Sequence, residues 1–113
     1  MKQPSESELL RVFIGESDKH EGRPLYEVIV EEARRAGLAG GTVLRGCLGF
    51  GSHSLIHTAK ILRVSEDLPM IIEIVDEPGK IAAFLPVLDQ LVPEGLVTLE
   101  RLRVIIYRHN HPS

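Results

Sequence analysis

The chain has 113 residues, of which 43% are hydrophobic and 26% charged, and its formal net charge at pH 7 is −3. This size and composition indicate one globular domain with its own core. The weak negative charge and the absence of Trp argue against a surface for nucleic-acid backbones or stacked bases. The single cysteine excludes an internal disulfide, and the polar first residues and lack of long apolar runs predict a cytoplasmic protein.

The first half of the chain predicts a strand, a helix and a second strand. Residues 1–7 are predicted as a disordered tail, and a β-branched and aromatic strand follows at residues 9–14. Apolar residues then recur at helical spacing between Pro24 and Gly37, which are typical first-turn and C-terminal residues of a helix. The second strand is predicted at residues 42–50.

The second half begins with a long connection at residues 51–68. An almost wholly apolar strand follows at residues 70–75, as expected of a covered strand. Pro86 should bend or shorten the second helix, and the last strand lies within residues 96–107. Residues 109–113 are predicted as a tail. The second helix is predicted from an apolar stripe at Ile81, Phe84, Leu85, Leu88 and Leu91.

This order of elements, β-α-β-β-α-β, predicts an α+β, ferredoxin-like sandwich. Its antiparallel sheet would carry both helices on one face, within a single domain at residues 8–108. Because three strands have apolar residues on both faces, the sheet face without helices would be apolar and bare in a monomer. The sequence therefore predicts self-association through that face into a closed symmetric oligomer.

Glycines mark the end of the second predicted strand, at Gly46, Gly49 and Gly51. Glycine lets the backbone approach a ligand closely, and successive free N–H groups can hold an anion. A bulge or strand exit explains the same glycines, and taken alone they favour that interpretation. The following connection carries His53 and Lys60, and it predicts either contact with an anion or acidic partner, or a solvated loop.

Two histidines and three arginines offer further chemistry. His53 and His57 would share one face of a helix, as transition-metal ligands do, but no third ligand has suitable spacing. No metal site or cofactor is therefore predicted. Arginines beside strands can clamp a carboxylate or phosphate. Arg45 and Arg108 are kept as ligand candidates, whereas a structural role is favoured for Arg103.

As a set, these motifs resemble the PII signalling proteins, and more specifically the PII-like family known as domain of unknown function 190. The resemblance rests on Arg45-Gly46, on Gly49-Phe50-Gly51, on SEDLP at residues 65–69 and on IEIVD at residues 72–76. It covers residues 9–107.

The resemblance implies a homotrimer with its sheets inward. It implies that residues 51–68 correspond to the mobile loop with which PII proteins contact their targets. It also implies that an adenine nucleotide or other small anion binds between subunits at the base of this loop. The turn at residues 92–95 has an acid and no lysine, unlike the phosphate-holding turn of PII proteins. The predicted ligand-binding residues are Arg45, Gly49, Phe50, Gly51, His53, Lys60 and Arg108.

The sequence thus predicts a non-enzymatic regulatory trimer whose effector shifts the state of residues 51–68. Family association with fluoride channels makes a membrane transporter the suggested partner, and no nucleic acid is expected. A metal-binding or metal-tolerance trimer using His53 and His57 is the alternative function. A small phosphohydrolase-like enzyme ranks third, because no nucleophile and base are placed together.

Overall fold

A computed structural model describes residues 5–49 and 67–108 of the chain. Within these ranges the structure has six strands and two helices, and four of the strands form one sheet. The strands are β1 (Ser5–Gly15), β2 (Lys19–His20), β3 (Arg23–Pro24), β4 (Thr42–Arg45), β5 (Pro69–Asp76) and β6 (Leu96–Val104), and the helices are α1 (Leu25–Arg35) and α2 (Pro78–Leu91).

The main sheet has the strand order β4-β5-β1-β6, and each neighbouring pair is antiparallel. This is the ferredoxin-like order, so the predicted α+β fold class is confirmed. The short hairpin formed by β2 and β3 was not predicted. In the described part of the chain, neither helix is long and apolar enough to cross a membrane.

The core lies between the sheet and the two helices. Alternate residues of β1 and β5 face the helices, and Leu10, Val12, Ile72 and Ile74 are at most 1% exposed. The predicted helical stripes supply the other side of this core. Its helical members include Leu25, Val28, Ile29 and Ala33 on α1 and Ile81, Phe84, Leu88 and Leu91 on α2.

Both helix predictions are confirmed, with differences at two prolines. Gly37 has a φ of 85°, the left-handed conformation that glycine adopts readily after a helix. Pro24 is the residue before the first turn of α1 rather than within it. The helix α2 is not shortened at Pro86 and runs from Pro78 to Leu91. Pro86 is exposed, so water can satisfy the carbonyl left without a donor.

The strand boundaries differ from the prediction at three ends. The strand β1 begins at Ser5, inside the predicted tail, because its ladder with β6 extends until Ser5 lies opposite Val104. The strand β6 ends at Val104, three residues before the end of the predicted range. The strand β4 ends at Arg45, well before the predicted residue 50.

Candidate functional site

The sheet face opposite the helices is uncovered in the single chain. Its exposed members include Leu44, 45% exposed, and Leu96, 56% exposed. We call this surface the open face, and the strand register defines it. Its apolar members include Leu9 and Phe13 on β1, Leu44 on β4, Ile71 and Val75 on β5, and Leu96, Leu102 and Val104 on β6.

A cluster of three charged residues lies within the open face. The Arg11 Nε donates to Glu73 Oε2 at 2.9 Å, and the Arg11 Nη1 donates to Glu100 Oε1 at 3.0 Å. The hydrogen bond to Glu73 and the charges of both carboxylates raise the pKa of Arg11 above its usual value. The cluster has two acids and one base, so it carries excess negative charge on a largely apolar surface.

Gly46 and Gly49 both pack against Pro69. A β-carbon at Gly46 would lie 2.8 Å from Pro69 Cγ, and one at Gly49 would lie 2.9 Å from the same atom. The Gly46 amide also donates to the Pro69 carbonyl at 2.7 Å. Because proline has no N–H, it cannot donate to the ladder. The missing N–H explains why β4 ends at Arg45. The short distances to the Pro69 ring give both glycines a packing role.

Arg45 and Glu16 form an ion pair beside this glycine segment. The Arg45 Nη2 lies 2.6 Å from Glu16 Oε2, with the Arg45 side chain 59% exposed and that of Glu16 only 22% exposed. Arg45 is therefore a surface cation, as a ligand candidate must be. In the described structure, however, its guanidinium already has a carboxylate partner.

The turn after β1, residues 16–18, also holds the chain at the start of β5. The Glu16 amide donates to the Leu68 carbonyl at 2.8 Å. The Ser17 amide and hydroxyl donate to Asp67 Oδ1 at 3.0 and 2.7 Å. Asp67 has a φ of 43°, which is unusual for a residue other than glycine. One turn thus contacts both Arg45 and Asp67.

The role of this turn was not predicted from the sequence. An antiparallel β1–β5 pair brings the end of β1 to the start of β5, since Gly15 lies opposite Pro69. The predicted strand order could therefore have placed residues 16–18 near Asp67. The pairing of Glu16 with Arg45 depends on side-chain positions that no sequence pattern specifies.

Arg108 lies at the opposite corner of the sheet from Arg45. Arg45 pairs with Met70, which lies opposite Ile14 near the end of β1. Arg108 follows β6, whose last residue lies opposite Ser5 at the start of β1. The two corners are roughly 30 Å apart along the strands and lie at opposite edges of the sheet. One chain therefore does not bring Arg45 and Arg108 together.

The remaining predicted ligand residues, Phe50, Gly51, His53 and Lys60, lie outside the described residues. The same is true of His57, so the alternative metal pair stays a prediction. Across residues 5–49 and 67–108, no three His, Cys, Asp or Glu side chains are grouped as metal ligands would be.

Comparisons with known proteins match nearly the whole chain. The DUF190 family model, described as "Uncharacterized ACR", matches residues 7–104. A UPF0166 protein from Aquifex aeolicus (strain VF5) is 39% identical over 97 residues, which are 86% of this chain and 91% of that protein.

The fold is also similar to solved structures of CPII from Thiomonas intermedia K12. CPII bound to ADP and bicarbonate has a TM-score of 0.62 and 19% identity, over 94% of this chain and 95% of that chain. CPII bound to ADP, AMP and bicarbonate is described as a nitrogen regulatory PII-like protein. That structure has a TM-score of 0.60 and 21% identity over 94% of both chains. At these identities, the match shows a shared PII-like fold.

Proposed function

Because the chain belongs to the DUF190 family and has a PII-like fold, we propose that it is a regulatory protein without catalytic activity. Three copies associate through the open face, and each cleft between copies binds a small anionic effector. Contact with a protein partner through residues 51–68, and a membrane transporter as that partner, stay predictions from the family resemblance.

The open face supports the trimer. Apolar side chains from all four strands form one surface, and burying apolar area stabilises association by about 25 cal/mol per Å². A sheet face of this kind is typical of a surface that another protein chain covers. A closed symmetric assembly covers the open face on every copy, so no open face stays exposed for further association.

The proposal that the ligand site lies between copies is supported by the distance between Arg45 and Arg108 in one chain. The two cations lie at opposite corners of one sheet, so a site that uses both needs Arg45 of one copy and Arg108 of another. Two arginines that converge on a cleft would provide several N–H donors for a carboxylate or phosphate group. The assembly therefore creates a cation pair that the single chain lacks.

An adenine nucleotide is the first effector to test. CPII, which shares the fold, has been solved with ADP and with bicarbonate. Both ligands are anions, in agreement with the cations at the proposed cleft. The turn before β6 carries Glu94 and no lysine, so we expect fewer phosphate contacts there than a lysine-rich turn provides.

Subunit mixing tests the shared site. Calorimetric titration of the wild-type protein with ADP should show binding, and Arg45→Ala and Arg108→Ala should each weaken it. After the two variants are unfolded together and refolded as a mixture, about a quarter of the clefts should combine Arg45 of one copy with Arg108 of another.

Those clefts should recover wild-type affinity for ADP. Arg34→Ala, on the exposed side of α1, is the matched control and should bind like the wild type. Recovery is the result expected of a cleft between copies. No recovery in the mixture, with both variants still trimeric, would contradict a site shared between copies.

A further inference from the structure

Arg45, the cation at the proposed cleft, is not free in the described structure. Its Nη2 donates to Glu16 Oε2 at 2.6 Å, a short hydrogen bond between two charged groups. An anionic ligand that contacts Arg45 must displace this carboxylate or share the guanidinium with it. In either case the negative charge of Glu16 opposes binding.

Glu16 is held in position by the backbone around it. Its own amide donates to the Leu68 carbonyl at 2.8 Å. The turn is further fixed by the Gly15 amide, which donates to Asp18 Oδ2 at 3.0 Å. Little backbone freedom is therefore lost at Glu16 when it pairs with Arg45, so the pair forms more readily than one from a mobile loop.

The same turn connects Arg45 with Asp67. Ser17, the residue after Glu16, holds Asp67 Oδ1 through its amide and its hydroxyl. A β-carbon at Gly15 would clash with that same Oδ1, so the carboxylate lies tightly against the end of β1. A movement of Glu16 would therefore act directly on its neighbour Ser17, which makes the hydrogen bonds to Asp67.

From these contacts we infer that Glu16 is an internal competitor for the effector. In the ligand-free protein Glu16 occupies Arg45, and an anionic effector displaces it. The displaced Glu16 loosens the turn, and this weakens the hydrogen bonds from Ser17 to Asp67. Effector binding at Arg45 is thereby transmitted to the chain just before β5. This inference rests on the proposed function, because it assumes an anion at Arg45.

ADP titration of Glu16→Gln tests the competition. The amide keeps the size of the side chain and removes its charge, so ADP affinity should rise by about two- to fivefold. Asp89→Asn removes one negative charge from an exposed position on α2 and should leave affinity unchanged. Equal affinity in the two variants, or weaker binding by Glu16→Gln, would overturn the inference.

Amide-resolved hydrogen exchange tests the connection to Asp67 in the wild-type protein. Saturating ADP should speed exchange of the Ser17 amide. Arg45→Ala, which removes the ion pair, should speed it without any ligand. Unchanged Ser17 exchange in both measurements would overturn the connection. If wild-type protein binds no ADP, the proposed function fails and the competition fails with it. Wild-type binding with no gain in Glu16→Gln rejects the competition alone.

Discussion

The Gly46 amide donates to the Pro69 carbonyl, and the same glycine packs against the Pro69 ring. Gly49 packs on that ring as well, so the chain after β4 closes around the first residue of β5. Gly46 and Gly49, which belong to a segment that resembles a ligand-binding loop, therefore also make room for the Pro69 ring. Pro69, which has no N–H to continue the ladder, fixes where β4 ends and hence where Arg45 lies.

Adding a methyl group at Gly46 should therefore destabilise the protein. Gly46→Ala brings a β-carbon to 2.8 Å from Pro69 Cγ, and overpacking of this kind costs roughly 1–3 kcal/mol of unfolding free energy. Urea unfolding at fixed protein concentration measures the change. Gly40→Ala is the control, since no atom lies within 4 Å of a β-carbon there. The same penalty for Gly46→Ala in a Pro69→Ala background would show that the ring is not the cause.

Two glycines of the second half should respond to alanine in opposite directions. Gly95 has a φ of 153°, and its β-carbon would lie 2.7 Å from the Phe13 carbonyl oxygen. A backbone atom cannot move aside easily, so Gly95→Ala should lower the thermal midpoint. Gly79, within the first turn of α2, has no neighbour that a β-carbon would meet. Gly79→Ala should stabilise by about 0.5–1 kcal/mol through helix propensity. Thermal unfolding of both variants checks the signs, and equal shifts would contradict the account.

The charged cluster of the open face should control self-association. Arg11→Ala leaves Glu73 and Glu100 without their cation in a surface that the proposed trimer would bury, so the proposed trimer should dissociate at least about tenfold more easily at pH 7. Sedimentation at several concentrations measures this effect, with Arg34→Ala as the control. Unchanged association of Arg11→Ala would mean that the cluster lies outside the interface.

The ion pair of Glu31 predicts a small loss of stability in acid. Both Glu31 oxygens accept from Arg23, at 2.8 and 2.6 Å, and these hydrogen bonds lower the pKa of Glu31. A carboxyl whose folded pKa is lowered contributes stability above its unfolded pKa, and the contribution is lost as pH falls through the folded pKa. The thermal midpoint of Glu31→Gln should therefore be lower than wild type at pH 7 and approach it in acid. A difference in thermal midpoint between Glu31→Gln and wild type that stays constant from pH 7 into acid would rule out this contribution of the ion pair.

Patterns of apolar residues predicted most of the fold. The alternation at Leu10 and Val12 and the stripe around Phe84 describe surfaces that each element buries, and such periodicity is local to the element. The end of β4 was not predictable, because it depends on Pro69, which lies on the neighbouring strand and 24 residues after Arg45 in the sequence. The Glu16–Arg45 pair was missed for the same reason. Its two side chains meet only once β1, β4 and β5 are assembled.

Sedimentation velocity of the wild-type protein is the most direct test of the central claim, that copies of this chain cover each other's open faces. The chain has a mass of 12.5 kDa, and the account predicts a single species of three times that mass at micromolar concentration. Phe13→Glu, which adds a charge to the open face, should shift that species toward the monomer. A wild-type protein that sediments as a folded 12.5 kDa monomer at the same concentration would contradict the trimer and the clefts that depend on it.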